Sequence, residues 1–202
     1  MTARIDKVVV SGVFSLDGQD FDVDNNVWLV GDDDEVLVID APHDAAPIVE
    51  AIGGRRVTAI ALTHGHNDHI TAAVELRAAT GAPVWFNPAD GMLWDVVHPG
   101  AVPDAELAEG TEFEVAGVTL RALSTPGHSP GSTCLHAPEL GTVFTGDTLF
   151  CGGPGATGRS YSDEPTILES IRTRLLTLPP ETVVRTGHGD DTTVAAEVGN
   201  VS

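Results

Sequence analysis

Four of the seven residues in Thr63-His64-Gly65-His66-Asn67-Asp68-His69 carry atoms that bind metal ions. On extended chain, side chains two positions apart lie on one side, so His64 and His66 can share an ion. Gly65 and Asn67 let the backbone turn tightly between them. Asp68 and His69 fall where a helix is expected to begin, so they project differently and suit a second ion. Imidazole nitrogen combined with carboxylate oxygen is a donor set for zinc or another borderline divalent metal. A plain strand-to-helix loop could use Asp68 as a cap, but it has no use for three histidines within six residues.

Three further candidates each follow an apolar stretch and are each preceded by glycine. His128 stands in Thr125-Pro126-Gly127-His128-Ser129-Pro130-Gly131, Asp147 in Phe144-Thr145-Gly146-Asp147 and His188 in Arg185-Thr186-Gly187-His188. A glycine at that place lets the backbone approach an ion closely. Loops at strand ends are where active-site groups gather in layered α/β folds.

Elements to position these residues can be read from the pattern. Val8 to Phe14, Asn26 to Val30 and Glu35 to Ile39 read as strands, the last two joined by the turn Gly31-Asp32-Asp33-Asp34. Ala45 to Ile52 reads as a helix stopped by Gly53-Gly54, and Val57 to Leu62 as a buried strand ahead of the histidine-rich loop. A helix is expected over Ile70 to Thr80, a short strand over Val84 to Phe86, and a loop or broken helix from Asn87 to Glu109 that forms one wall of a pocket. Thr111 to Val115 and Val118 to Leu123 make a hairpin about Ala116-Gly117, and Ser132 to His136 and Thr142 to Thr145 are strands. Helical spacing of Ile167, Leu168, Ile171 and Leu175 marks a helix over Glu164 to Leu176, followed by a strand at Thr182 to Arg185. The tail after Asp191 is small and polar and reads as frayed.

Composition narrows the function. With 202 residues and 42% apolar content the chain can bury a sizeable core as one domain over 1–202. No apolar run approaches the ~18 residues of a membrane span. A net charge of −20 argues against nucleic acid, whose binders need a basic footprint. Cys134 and Cys151 are too few for a disulfide framework and too far apart for a CxxC motif. The opening residues Met1 to Lys7 lack the apolar stretch of a signal peptide, so a cytoplasmic location is expected.

The order HxHxDH, PGH, GD, GH from Val8 to Asp190 resembles the metallo-β-lactamase superfamily, and TPGHSPGS with GDTLF is most similar to its glyoxalase II-like branch. The resemblance implies an α/β fold, a four-layer αββα sandwich with metals at one edge of two sheets. It places His64, His66 and His128 on one ion, Asp68, His69 and His188 on the other, and Asp147 on both. It implies two divalent ions, zinc foremost with iron or manganese as alternatives, and a small-molecule thioester or related ester as substrate. A pair of ions lowers the pKa of a water between them towards ~7 and clamps the attacking and developing oxygens. Asp68 is then also a catalytic residue, orienting that water through its free oxygen. Arg159 is a candidate for a substrate carboxylate, and Asp40 for the ring N–H of a ligand histidine.

Several positions depart from that branch. Gly189-Asp190 stands where those enzymes place a tyrosine, CGGPGATGRS after Phe150 is longer than their thiol-binding loop, and the chain stops where they add a helical domain. Thiols other than glutathione therefore stay open. The rival readings are a persulfide dioxygenase using one iron and a hydrolase of lactones or other esters.

Overall fold

The structure, a computed structural model, describes residues 2–201. Strands β1 (Arg4–Leu16), β2 (Gln19–Gly31), β3 (Glu35–Ile39), β4 (Arg56–Ala61), β5 (Val84–Phe86) and β6 (Ala105–Glu106) form one sheet in that order. The second sheet takes β7 (Glu112–Val115), β8 (Val118–Ser124), β9 (Thr133–Ala137), β10 (Thr142–Gly146), β13 (Val183–Thr186) and β14 (Thr192–Thr193), while β11 (Leu149–Phe150) and β12 (Gly153–Pro154) make a small ribbon. Its order is β14-β13-β10-β9-β8-β7. Helices α1 (Ala45–Ile52), α2 (Asn67–Ile70), α3 (Ala73–Thr80), α4 (Gly91–Val97), α5 (Glu164–Ser170) and α6 (Val194–Glu197) complete the fold.

Alternation along the strands builds four layers, the expected αββα sandwich. Val36 and Val38 face outward onto α1 and α3 with Ile48, Ile52 and Leu76, whereas Leu37 and Ile39 face inward onto the second sheet. In the second sheet Leu135 and Phe144 face inward, and Cys134 and Val143 face Ile167, Ile171 and Leu175 on the opposite side. Among the described residues no helix is long and apolar enough to cross a membrane.

Local departures from the sequence reading have identifiable causes. The first strand runs on to Leu16 and the second begins at Gln19, because Asp17 (φ 54°) and Gly18 (φ 73°) form the Asp-Gly turn that hairpins favour. The helix expected over 70–80 breaks after α2, where Ala72 N–H bonds Ala41 O (2.9 Å) and Ala41 N–H bonds His69 O (2.9 Å). The segment 87–109 contains α4 and β6, and α5 continues through a wide turn in which Leu176 N–H reaches Ile171 O at 2.9 Å. The tail is packed, not frayed, with Val194 and Val201 in the core beside Ile171 and Leu175.

Phe144 lies fully buried between the sheets, its ring centroid 6.0 Å from that of Trp28. Phe144→Ala should cost about 3–5 kcal/mol of unfolding free energy, read by denaturant titration.

Candidate metal centre

Each candidate ligand stands just beyond a strand or on the turn that follows. His64 and His66 come after β4, Asp68 and His69 open α2, His128 lies between β8 and β9, Asp147 follows β10 and His188 follows β13. The two sheets meet there through Asn26 N–H to Gly187 O (2.7 Å), and Gly187 N–H in turn bonds Gly146 O (2.8 Å) on the neighbouring strand of its own sheet. A side chain at Gly187 would collide with Asp147 and His69, so glycine is what permits this approach.

The seven candidates converge. His66 Nδ1 is 3.0 Å from both His64 Nε2 and His128 Nε2. His69 Nε2, His188 Nε2 and Asp68 Oδ2 form a second group, separated by 3.3, 3.3 and 3.6 Å. Asp147 lies between the groups, 3.2 Å from His69 Nε2, 3.4 Å from His188 Nε2 and 3.5 Å from His128 Nε2. Asp68, His69 and His64 are almost wholly buried.

Hydrogen bonds on the outer nitrogens fix which atoms face inward. His128 Nδ1 donates to Ala156 O (2.9 Å) and His188 Nδ1 to Asp24 O (2.8 Å). Asp40 accepts from His69 Nδ1 (2.8 Å), from Thr63 N–H (2.7 Å) and from the Thr63 hydroxyl (2.9 Å). That hydroxyl, its proton spent on Asp40, is left to accept from His64 Nδ1 at 3.1 Å. One carboxylate thus aims two candidate ligand histidines, and Asp40 holds a positive φ of 66° where it does so.

With one proton on each ring, no placement of protons satisfies the inward nitrogens of His64, His66 and His128 together. Either His66 Nδ1 carries a proton that serves one neighbour only, or three lone pairs face one another. Burial, then the charges of neighbouring histidines, push His64 well below its ordinary pKa and His66 down to about 3, so charging either of these two rings is no remedy. In the second group burial opposes charge on His69 and His188, yet the Asp147 and Asp68 carboxylates raise His69 well above its ordinary value and His188 to about 10. Burial would raise the Asp147 carboxyl, but His69 and His188 hold it well below the usual range. Lone pairs face one another in the first group and carboxylates draw positive charge onto the second, and nitrogen and oxygen donors at these spacings fit divalent metal.

Two contributors were not read from the sequence. Asp90, fully buried, accepts from Gly65 N–H (2.7 Å), Ser129 Oγ (2.6 Å) and Gly131 N–H (2.6 Å), binding the His64/His66 loop to the His128 loop. Burial raises its pKa against the pull of those bonds. Asn25, in β2, points its amide nitrogen at Asp68 Oδ2 (3.1 Å) and accepts from His43 Nε2 (2.8 Å). His43 is thereby placed behind the second group, and Asp44 caps α1. A buried polar pair, Asn25-Asn26, at the head of an apolar strand was the available signal; nothing local marked where Asp90 would reach. Arg159 stacks 4.6 Å from the Phe21 ring centroid and donates to Gln19 Oε1 (3.0 Å).

Residues 21–188 match the family described as the Metallo-beta-lactamase superfamily, a span that contains all seven converging residues. The chain belongs to that superfamily. Over 187 residues it is 36% identical to the probable metallo-hydrolase YqgX of Bacillus subtilis, covering 85% of this chain and 88% of that one. It is 32% identical to the hydroxyacylglutathione hydrolase GloC of Haemophilus influenzae, covering 85% and 89%. The crystal structure of TTHA1623 in a di-iron-bound form superposes with a TM-score of 0.78 at 32% identity, covering 88% of this chain and 94% of that one.

Asp40→Asn should weaken both groups, because it disturbs His69 directly and His64 through Thr63. Asp90→Ala should weaken the His64/His66/His128 group more than the other. Losses of about 10–100-fold in metal affinity are expected, read by titration against a competing chelator.

Proposed function

We propose that this superfamily hydrolase cleaves a thioester of a small thiol at a two-ion centre, with zinc as the foremost metal. The observation that carries this reading is the lining of the cavity over the cluster. Besides candidate ligands, that cavity of about 400 Å³ is walled by Phe14, Val23, Asp24, Phe150 and Ala156. Among the described residues, Asp24 is the one acid–base side chain in these walls outside the candidate ligands, and its Oδ1 is turned to the Ser11 hydroxyl at 2.6 Å, so the walls offer no separate proton donor for a leaving group. An alkoxide or amine needs that proton, whereas a thiol with a pKa near ~8.5 departs as thiolate. The similarity to GloC supports the same reading.

When bound, divalent ions supply an acidified water and polarise the carbonyl oxygen. The chain's own residues do the remainder. Asp68 Oδ1 is buried and has no hydrogen-bond partner, which leaves it as the acceptor for a proton of the attacking water. Asn25 holds the other oxygen, Oδ2, so the free one is oriented. Phe14 and Phe150 present apolar walls beside the candidate ligands.

Purified, metal-loaded protein should release thiol from S-acyl thiols without consuming oxygen, and chelator should abolish the release until metal is restored. Asp68→Asn should lower kcat by about 10²–10⁴-fold, with metal content measured in parallel. Stoichiometric oxygen uptake with a persulfide, at one iron per chain, would replace this reading with the dioxygenase one.

A further inference from the structure

A second cavity, of about 330 Å³, opens beside the first, and His66 is a wall of both. It is bounded by the tip of the β1–β2 hairpin from Ser15 to Asp20, by Leu93, Val96 and Val97 on and beside α4, and by Ser160 and Tyr161. Hydrogen bonds hold it open. Asn67 accepts Ser15 N–H (2.9 Å) and donates to Val13 O (2.8 Å), and Asp17 Oδ2 accepts Ser160 N–H (3.0 Å). Val96 is 81% exposed and Tyr161 51% exposed, so apolar surface awaits a partner there. Tyr161 is kept at a φ of 70°, a backbone strain of the sort that persists at ligand sites.

Charge sets this cavity apart. Asp17 and Asp20 line it, Asp24 stands in the wall of the metal cavity, and among the described residues no lysine or arginine lines either. The Ser160 hydrogen bonds hold the Asp17 carboxyl below its ordinary pKa, so it is ionised at neutral pH. One neighbouring cation, Arg159, donates to Gln19 and stacks on the Phe21 ring, and its charge also acts on Asp17, so three carboxylates face a single cation that lines neither cavity. The whole chain carries −20, so no distant field offsets these carboxylates.

A thioester with its carbonyl at the metal cluster extends two arms, and one that passes His66 enters the second cavity. We propose that this cavity receives the thiol-carrier arm of the substrate and that Asp17, Asp20 and Asp24 select an uncharged or cationic carrier over one bearing free carboxylates, such as glutathione. The proposal rests on the thioesterase reading above, and its test separates the two.

One acyl group is presented on N-acetylcysteamine (uncharged), on thiocholine (cationic) and on glutathione (two carboxylates), and kcat/KM is compared. At ~0.01 M salt, where screening reaches only beyond ~30 Å, the first two should exceed the glutathione ester by about 10-fold. The gap should narrow at ~0.15 M salt, where the screening length is ~8 Å. Asp17→Asn/Asp20→Asn, which keeps an acceptor for Ser160 N–H, should move the carrier ratio at least about threefold toward unity. A preference for the glutathione ester, or a ratio unmoved by the double variant, overturns the proposal. So does an Arg159→Gln loss confined to the glutathione ester, which would put a carboxylate on that arginine. Absence of turnover with every ester defeats the thioesterase reading alone. Charge selection is then read from calorimetric binding of the S-methyl carriers, where tighter binding of S-methylglutathione overturns it.

Discussion

Donor atoms of seven side chains meet in a space where almost every neighbour is another lone pair or a negative charge. His66 Nδ1 sits 3.0 Å from two other ring nitrogens, and Asp68 and Asp147 bring carboxylates within 3.2–3.6 Å of His69 and His188. Such an arrangement is costly in a dry interior unless positive charge lies within it. The sandwich gathers it at strand ends, where a stiff frame of paired backbone resists the repulsion and loops supply the side chains.

The frame is tightened by close backbone approaches and buried acceptors. Gly127 lets the His128 loop lie on the start of α5, where a side chain would collide with Ile167, and Asp163 N–H bonds Gly127 O at 2.7 Å. Thr133 N–H bonds Thr63 O at 2.8 Å, joining the first ligand loop to β9. Asp40 and Asp90 then act on different parts of the cluster. Asp40 aims His64 and His69 through their outer nitrogens, and Asp90 fastens the loops that carry His64, His66 and His128. Substrate handling follows from what these supports leave open, an apolar cavity over the cluster and an acidic one beside it.

Much of the site was legible because its residues are chemically conspicuous, most of them beside a glycine, and follow apolar runs. The sandwich was legible for a related reason, since alternation such as Val36-Leu37-Val38-Ile39 sorts onto the two faces of a sheet. The supports were harder to read. Asp90 lies 25 positions from Gly65 and 41 from Gly131, and nothing local in Asn87-Pro88-Ala89-Asp90 says that its carboxylate will join two loops. Asn25 reaches Asp68 across 43 positions. The Asp17-Gly18 turn was written in the sequence, but acidic alternation at Asp20, Asp22 and Asp24 masked the strand, because this hairpin tip has no core face to mark it. The packed tail hid behind polar residues, with Val194 and Val201 reaching the core.

The central claim is that the seven residues form one centre for two ions with Asp147 serving both. It is tested most directly by metal analysis of the purified protein together with anomalous diffraction from its crystals. Two ions per chain are expected, one about 2.0–2.1 Å from the inward nitrogens of His64, His66 and His128, the other bound by Asp68, His69 and His188, with Asp147 touching both. A single ion per chain in metal-replete protein, with Asp147 bound to neither position or to one alone, would contradict it.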